Sequence, residues 1–249
     1  MTTPALDAVL FDLDGTLIDS EPQWMAAEAR LAAEYGIPWG TAEAEALVGV
    51  DLWDGARVFI AKGVPLEADA IVARLVTEVL DAIGDDLPAR PGAVELLREL
   101  VSAEVPVALV TMSTRDIVDR VEAAFAARLG ASPFAATVAG DECEQGKPHP
   151  EPYLRGLALL GASAARSVAI EDSLHGARSA LAAQLTTIGV PHAVDVSQLP
   201  GIVHWPTLVG RTVADLAAAL DPSTRSVHSV HGAAQDAVAT QDATEGERA

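Results

Sequence analysis

Cysteine is almost absent from this chain: Cys143 is the single one in 249 residues. That excludes an internal disulfide, and the acidic neighbours Asp141, Glu142 and Glu144 disfavour a thiolate, so Cys143 reads as a passive loop residue. Lysine is nearly as scarce, with only Lys62 and Lys147. The formal net charge of -20 argues against a nucleic acid or an anionic membrane surface as partner. An anionic substrate therefore needs local positive charge, and a lysine inside a motif carries weight. No apolar run reaches the roughly 18 residues of a membrane span. The first predicted strand begins almost at the N-terminus, which leaves no room for a signal peptide, so the expectation is a soluble, cytoplasmic protein. Aromatic residues make up 4% of the chain, and helix packing must rely on Ala and aliphatic side chains.

Half of the residues are hydrophobic, which fits a globular fold with a substantial core. The apolar run Ala8 to Phe11 predicts a buried parallel strand that delivers Asp12 and Asp14 to its carboxyl end. Alternation along an extended chain points both carboxylates the same way, Gly15 allows a sharp turn, and Thr16 adds a hydroxyl. Two buried carboxylates repel unless a cation or a shared proton compensates them. A lone Asp-Gly pair would read as a capped strand-end turn. Three later loops set this one apart.

Asp19-Ser20-Glu21-Pro22 opens a helix with polar caps and an early proline. Trp24, Leu31 and Tyr35 recur at helical spacing until Gly36-Ile37-Pro38 stops the run. Ile71, Leu75 and Val79 mark a further helical face, with Val72, Val76 and Leu80 beside it, before Asp85, Asp86 and Pro88 break the pattern. Residues 21–88 contain no convincing strand and read as an all-helical insert. After Arg90-Pro91-Gly92 comes a short helix with Val94, Leu97 and Val101 on one face. Val105–Val110, Ala136–Ala139, Ser167–Ile170 and Leu185–Val190 then read as strands, separated by helices carrying Ile117, Val121 and Phe125, and Tyr153, Leu157 and Leu160. Val213, Leu216 and Leu220 predict a closing helix. Such alternation predicts right-handed crossovers and a parallel sheet covered on both faces, with ligands at the carboxyl ends of its strands. Residues 223–249 are polar and aperiodic and read as disordered, with His228 and His231 solvated rather than metal ligands.

Three more loops reach that sheet edge. Thr111 and Ser113 follow the second strand, where hydroxyls and free helix N–H groups can hold phosphate oxygens; Ser113 or Thr114 also serves as an N-cap. Lys147 sits in Gly146-Lys147-Pro148-His149-Pro150, a stiff loop that fits a fixed countercharge. Glu171 and Asp172 end the fourth strand. They read either as caps for the helix beginning near Ser173 or as oxygen ligands meeting Asp12 and Asp14.

Taken together, Asp12-Leu13-Asp14-Gly15-Thr16, Thr111, Lys147 and Glu171-Asp172 resemble the four motifs of the haloacid dehalogenase superfamily, over nearly the whole chain to about residue 220. The resemblance implies an α/β fold: a Rossmann-like parallel sheet core of residues 1–20 and 89–222, with an all-helical cap of residues 21–88 inserted after the first strand. It implies Asp12 as the nucleophile that becomes an aspartyl-phosphate and Asp14 as general acid, then base. Thr111, Met112 and Lys147 would bind phosphate. Mg²⁺ would be held by Asp12, the backbone carbonyl of Asp14 and Asp172, with Glu171 nearby or joining through water. Ser113, Arg115, Arg57 and Trp24 are the candidates for contact with the rest of the substrate. Gly49 and Trp53 share the segment of Arg57, with Trp53 expected in the core of the cap.

The cap type, the Asp19–Trp24 opening and the Lys147 and Glu171 loops are similar to the sugar-phosphatase and β-phosphoglucomutase subgroup. The opening is especially similar to phosphatases of hexitol phosphates and 2-deoxyglucose 6-phosphate. Trp24 stands where the mutases carry a histidine, which favours hydrolysis over phosphosugar transfer. Asp14 argues against a dehalogenase, which needs no acid for an alkoxide. A silent binding protein on the same fold would lack a motif residue, and none is missing. The expectation is a Mg²⁺-dependent phosphatase of a small-molecule phosphate ester, without nucleic-acid or membrane partners and with a monomer favoured.

Overall fold

The computed structural model describes residues 6–83 and 87–224. The break expected at Asp85 and Asp86, and the tail from residue 225 with His228 and His231, lie outside the described residues. Among the described residues six parallel strands form one sheet: β1 (Ala8–Phe11), β2 (Val107–Val110), β3 (Ala136–Val138), β4 (Ser167–Glu171), β5 (Thr186–Gly189) and β6 (Val203–His204). Their order is β3-β2-β1-β4-β5-β6. The first strand therefore lies in the middle, and the chain winds outward in both directions from it. At that switch the crossovers diverge and leave a crevice at the carboxyl ends of β1, β2 and β4.

Each central strand is buried on both sides, and alternation divides its residues between two cores. Val9 and Phe11, Val107 and Leu109, and Val168 and Ile170 pack on one face with α5 (Ala93–Ser102), α6 (Arg115–Leu129) and α9 (Val213–Ala219). Ala8 and Leu10, Ala108 and Val110, and Ala169 pack on the other, against α7 (Glu151–Leu160) and α8 (Leu174–Ala182). Where α7 crosses the sheet, Gly156 faces Leu10 and Val110 so closely that a Cβ would sit 3.0 Å from each side chain. The missing side chain lets Tyr153, one turn earlier, seat fully beneath the sheet.

Between β1 and α5 the chain forms no strand among the described residues, only helices joined by turns: α1 (Glu21–Glu34), α2 (Thr41–Glu45), α3 (Leu52–Ala61) and α4 (Ala68–Ile83). Ile71, Val72, Leu75, Val76 and Val79 of α4 are buried as the periodicity predicts, with α1 and α3 packed against α4. Trp39 stacks on Phe59 at 4.2 Å between ring centroids. The two chain segments that enter and leave this insert are stitched together. Asp19 N–H donates to the Pro88 carbonyl at 2.7 Å, and Arg90 N–H donates to Leu17 at 2.8 Å. No helix among the described residues is long and apolar enough to cross a membrane.

The structure adds to and corrects the sequence reading in places. β6 is two residues long and too short for any periodicity to announce. On α5 the inward stripe is Ala93, Leu96, Leu97 and Leu100, while Val101, expected to face inward, is 49% exposed. Leu96 and Leu100 complete a tighter apolar stripe at helical spacing, which turns Val101 outward.

Leu10 of the central strand is fully buried. Leu10→Ala is expected to cost about 2–5 kcal/mol of unfolding free energy. Chemical denaturation checks this, and a cost below about 1 kcal/mol would contradict the packing described.

Candidate active site

The turn after β1 is built by Leu13, whose carbonyl accepts from the N–H groups of Thr16, Leu17 and Ile18, while Gly15 N–H donates to Ile18. Gly15 sits at φ +82°, in the left-handed region, and a Cβ there would run into the Asp172 carboxylate. The first and fourth loops approach closely only because that position has no side chain.

Lys147 is buried at 5% exposure. Its Nζ donates to Asp12 Oδ1 at 2.7 Å, to Glu171 Oε1 at 2.7 Å and to the Val110 carbonyl at 2.9 Å. Tyr153 lies behind it: its ring centroid is 5.1 Å from Nζ, and its hydroxyl donates to Glu171 Oε1 at 2.5 Å. The Ser173 hydroxyl donates to the other Glu171 oxygen at 3.2 Å and accepts from Gly176 N–H at 3.0 Å as the N-cap of α8. Glu171 thus braces the lysine from the side of the sheet. Asp172 is fully buried; Thr16 donates to its Oδ1 at 3.2 Å, and its Oδ2 has no partner among the described residues.

Carboxylate oxygens of Asp12, Glu171 and Asp172 come within 4.8 Å of one another. One ammonium faces three acids. Burial works against the Lys147 charge, but Asp12 and Glu171 outweigh it and hold its pKa above the ordinary lysine value. Burial also pushes the Asp12 carboxyl up; Lys147 pulls it down, and the Glu171 and Asp14 charges raise it again. Asp172 is raised well above the carboxylate range by burial, then by Asp12 and Glu171. The group therefore has capacity for a further positive charge. Its donors are all oxygen, Asp172 Oδ2 is unpartnered, and Gly15 keeps the space beside it clear. Asp12 and Asp172 accordingly fit a divalent cation.

Asp14 has a different environment. Its Oδ1 accepts from the Ser20 hydroxyl and from Trp24 Nε1 at 3.2 Å. Its Oδ2 accepts from the Ser113 hydroxyl at 2.6 Å and Thr111 Oγ1 at 3.4 Å. Ser20 occupies the N-cap of α1 but gives that helix no side-chain cap, because its hydroxyl is turned to Asp14. The Asp14 carboxylate stands outside the group formed by Asp12, Glu171 and Asp172.

A cleft between the sheet edge and the helical insert, about 800 Å³ counted out to solvent, is lined by Asp12, Asp14, Lys147 and Asp172 together with Thr111, Met112 and Ser113. From the insert, Trp24 and Gly49 reach it. Arg57 and Arg115 are not brought there. Arg57 lies exposed on α3, paired with Asp54 one turn away. Arg115 bonds Glu142 at 2.7 Å, Thr137 at 2.9 Å and Asp119 at 3.3 Å. Both guanidiniums are drawn off by nearby acids in a strongly acidic chain. Trp53 is half-buried in the insert, donating to Asp69 at 2.7 Å. Sequence reasoning missed the polar role of Tyr153, whose spacing marked it only as inward-facing, and missed Glu21 and Glu28, which line the cleft.

A family model described as haloacid dehalogenase-like hydrolase matches residues 6–184. The chain belongs to that family. It is 30% identical over 199 residues to hexitol phosphatase B of Escherichia coli K12, covering 77% of this chain and 86% of the relative. It is also 30% identical over 194 residues to a phosphorylated carbohydrates phosphatase of Thermotoga maritima, covering 76% and 88%. Among solved structures it is similar to CbbY from Rhodobacter sphaeroides, a mutant form in complex with xylulose-(1,5)bisphosphate. That match has a TM-score of 0.74 and 26% identity, covering 85% of this chain and 99% of the other. These likenesses agree with the hydrolase family and the Rossmann-like parallel-sheet fold that the motifs imply.

The raised acids set a pH dependence. Asp12 and Asp172 hold protons more tightly in the folded chain than at the ordinary value of 3.8. Their stabilising contribution is full below that value and is lost as pH rises toward the folded pKa values. His175, lowered by burial, opposes this trend as a single group. In the absence of divalent ions, Tm is expected to fall by about 3 °C or more between about pH 5 and about pH 8. Thermal unfolding with chelator checks this, and a Tm that rises across the window would contradict it.

Proposed function

We propose that this hydrolase is a Mg²⁺-dependent phosphatase of small phosphorylated metabolites, chiefly sugar or sugar-alcohol phosphates, acting through an aspartyl-phosphate on Asp12. The observation that carries the reading is the pairing in one cleft of two differently held carboxylates, Asp12 against the Lys147 ammonium and Asp14 among hydroxyl and indole donors. Environments that separate two acids chemically suit a nucleophile beside an acid–base group. The named activities of the Escherichia coli and Thermotoga maritima relatives support it.

In the first step an Asp12 oxygen forms a bond to phosphorus while the ester P–O bond breaks, and Asp14 delivers a proton to the departing alkoxide. In the second, Asp14 takes a proton from water as the water oxygen bonds to phosphorus and the Asp12 O–P bond breaks, which regenerates the Asp12 carboxylate and releases inorganic phosphate. Lys147 offsets charge on the phosphoryl oxygens, and Thr111 and the backbone near Met112 orient them. Asp12, Asp172 and the Asp14 carbonyl would hold Mg²⁺, which supplies further neutralisation of the transferring group. Residues 21–88 act as a cap over the core of residues 1–20 and 89–222, excluding water and selecting the leaving group.

A mutase is disfavoured because the indole of Trp24 is a donor only and is already given to Asp14, so it cannot shuttle protons. Asp14 disfavours a dehalogenase, and the intact motif set disfavours a silent binding protein.

Asp12→Asn is expected to abolish Mg²⁺-dependent turnover. Asp14→Asn is expected to lower kcat/KM for sugar phosphates by about 10²–10⁴-fold, with a far smaller loss on p-nitrophenyl phosphate, whose leaving group needs no proton. Steady-state kinetics on both substrates decides it: equal losses would contradict the acid role of Asp14.

A further inference from the structure

The helix α1 turns one stripe toward the cleft, Glu21, Trp24, Met25 and Glu28, at the i, i+3, i+4, i+7 spacing of a single helical face. On a helix packed over a core such a stripe is ordinarily apolar, yet both ends of this one are carboxyls. Glu28 is only 8% exposed, and its Oε2 is buried without a hydrogen-bond partner among the described residues. The indole N–H of Trp39 acts on the Glu28 carboxyl as a weak donor, but the two do not reach normal hydrogen-bond geometry, and neither Glu28 Oε2 nor the indole N–H has another partner among the described residues. Burial, then the Glu21 charge, pushes the Glu28 carboxyl up to about 8, with Trp39 offsetting part of this; burial, then Asp14 and Asp19, brings Glu21 to about 7.

Among the described residues that line the cleft, no cation answers these acids. Lys147, at the sheet edge, is the single Lys, Arg or His among the described residues lining the cleft, and it is already bound to Asp12 and Glu171. The rest of the insert's wall is largely aliphatic and aromatic, with Leu47, Val48, Phe59 and Leu75. One end of the cleft is thus equipped for a single phosphoryl group. A second phosphate or carboxylate at the other end would meet acids in an apolar wall without a countercharge, a costly arrangement. A buried carboxyl that carries its proton both donates and accepts, which matches an alcohol hydroxyl.

From this geometry we infer that Glu28, with Glu21 beside it, determines specificity by hydrogen-bonding the hydroxyls of an uncharged, polyhydroxylated leaving group. The same acids exclude esters that carry a second anionic group. This deepens the phosphatase reading and rests on it. The unpaired Glu28 carboxyl is tolerated in the cleft because a ligand hydroxyl satisfies it on binding, so the residue lowers stability while it improves recognition.

The test compares wild type, Glu28→Gln and Glu28→Met on four phosphate esters with Mg²⁺ present. They are p-nitrophenyl phosphate, a hexitol or hexose 6-phosphate, a hexose 1,6-bisphosphate and a hexosamine 6-phosphate. Wild type is expected to prefer the neutral sugar ester over the bisphosphate by about 100-fold in kcat/KM. Glu28→Met is expected to raise KM for the neutral ester about tenfold or more, with Glu28→Gln intermediate. p-Nitrophenyl phosphate, which has no hydroxyl to offer, is expected to stay within about twofold in both variants. Removing an unpaired buried carboxyl is expected to raise Tm of Glu28→Met by about 2 °C or more.

Equal losses on the neutral ester and p-nitrophenyl phosphate, an unchanged KM, or a fall in Tm would make Glu28 a structural residue and overturn the inference. Best turnover of the bisphosphate or of the amino sugar ester would overturn the assigned leaving group while leaving a phosphatase. If wild type hydrolyses no ester at all, p-nitrophenyl phosphate included, the phosphatase reading itself falls and this inference with it.

Discussion

One buried ammonium set among buried carboxylates is the constraint on which the rest of this structure depends. Lys147 Nζ is shared between Asp12 and Glu171 at 2.7 Å each, and Asp172 lies beside them with an unpartnered oxygen. Desolvated acids cannot all ionise against a single positive charge, so the group either keeps protons or takes up a cation. The apparent defect, a charge group left incomplete by the protein alone, leaves room for a further positive charge beside Lys147.

The fold makes that group possible by topology. Because β1 lies between β2 and β4, residues near positions 12, 111 and 172 become neighbours at one sheet edge, and the loop bearing Lys147 closes over them. Close approach then depends on absent side chains. Gly15 clears the path of Asp172, and Gly176 does the same for Glu171, whose carboxylate occupies the space a Cβ would need. Tyr153 and Ser173 hold Glu171 in place from behind, so the lysine is braced on its sheet side and offered to the cleft through Asp12. The helical insert supplies the opposite wall, and through Ser20 and Trp24 its first helix also touches Asp14. One helix, α1, thus carries both the contact to Asp14 and the Glu21 and Glu28 carboxyls that line the cleft.

Much of this was legible before any coordinates. Asp12 and Asp14 are two apart at the end of an apolar run, a local pattern that strand alternation converts directly into geometry. Lys147 stood out by scarcity in an acidic chain. Glu171 and Asp172 stood out by ending a strand. The failures share a different cause, since each depends on partners distant in sequence or on competition among charges. Tyr153 looked like core because helical spacing reports burial and says nothing of a hydroxyl's partner on β4. Glu28 was indistinguishable from a solvated helix glutamate until the insert folded over it. Arg57 and Arg115 read as available for substrate, but Asp54, Asp119 and Glu142 captured them first. β6, at two residues, carries no period to detect.

Whether the acid group is truly short of positive charge can be measured without substrate. Calorimetric titration of the protein with Mg²⁺, near pH 7 and in buffers of different ionisation enthalpy, reports both the number of ions bound and the protons they displace. The account predicts one ion per chain, release of about one proton as Asp12 or Asp172 yields it, and loss of binding in Asp172→Asn. Binding without proton release, or binding that Asp172→Asn leaves intact, would contradict it.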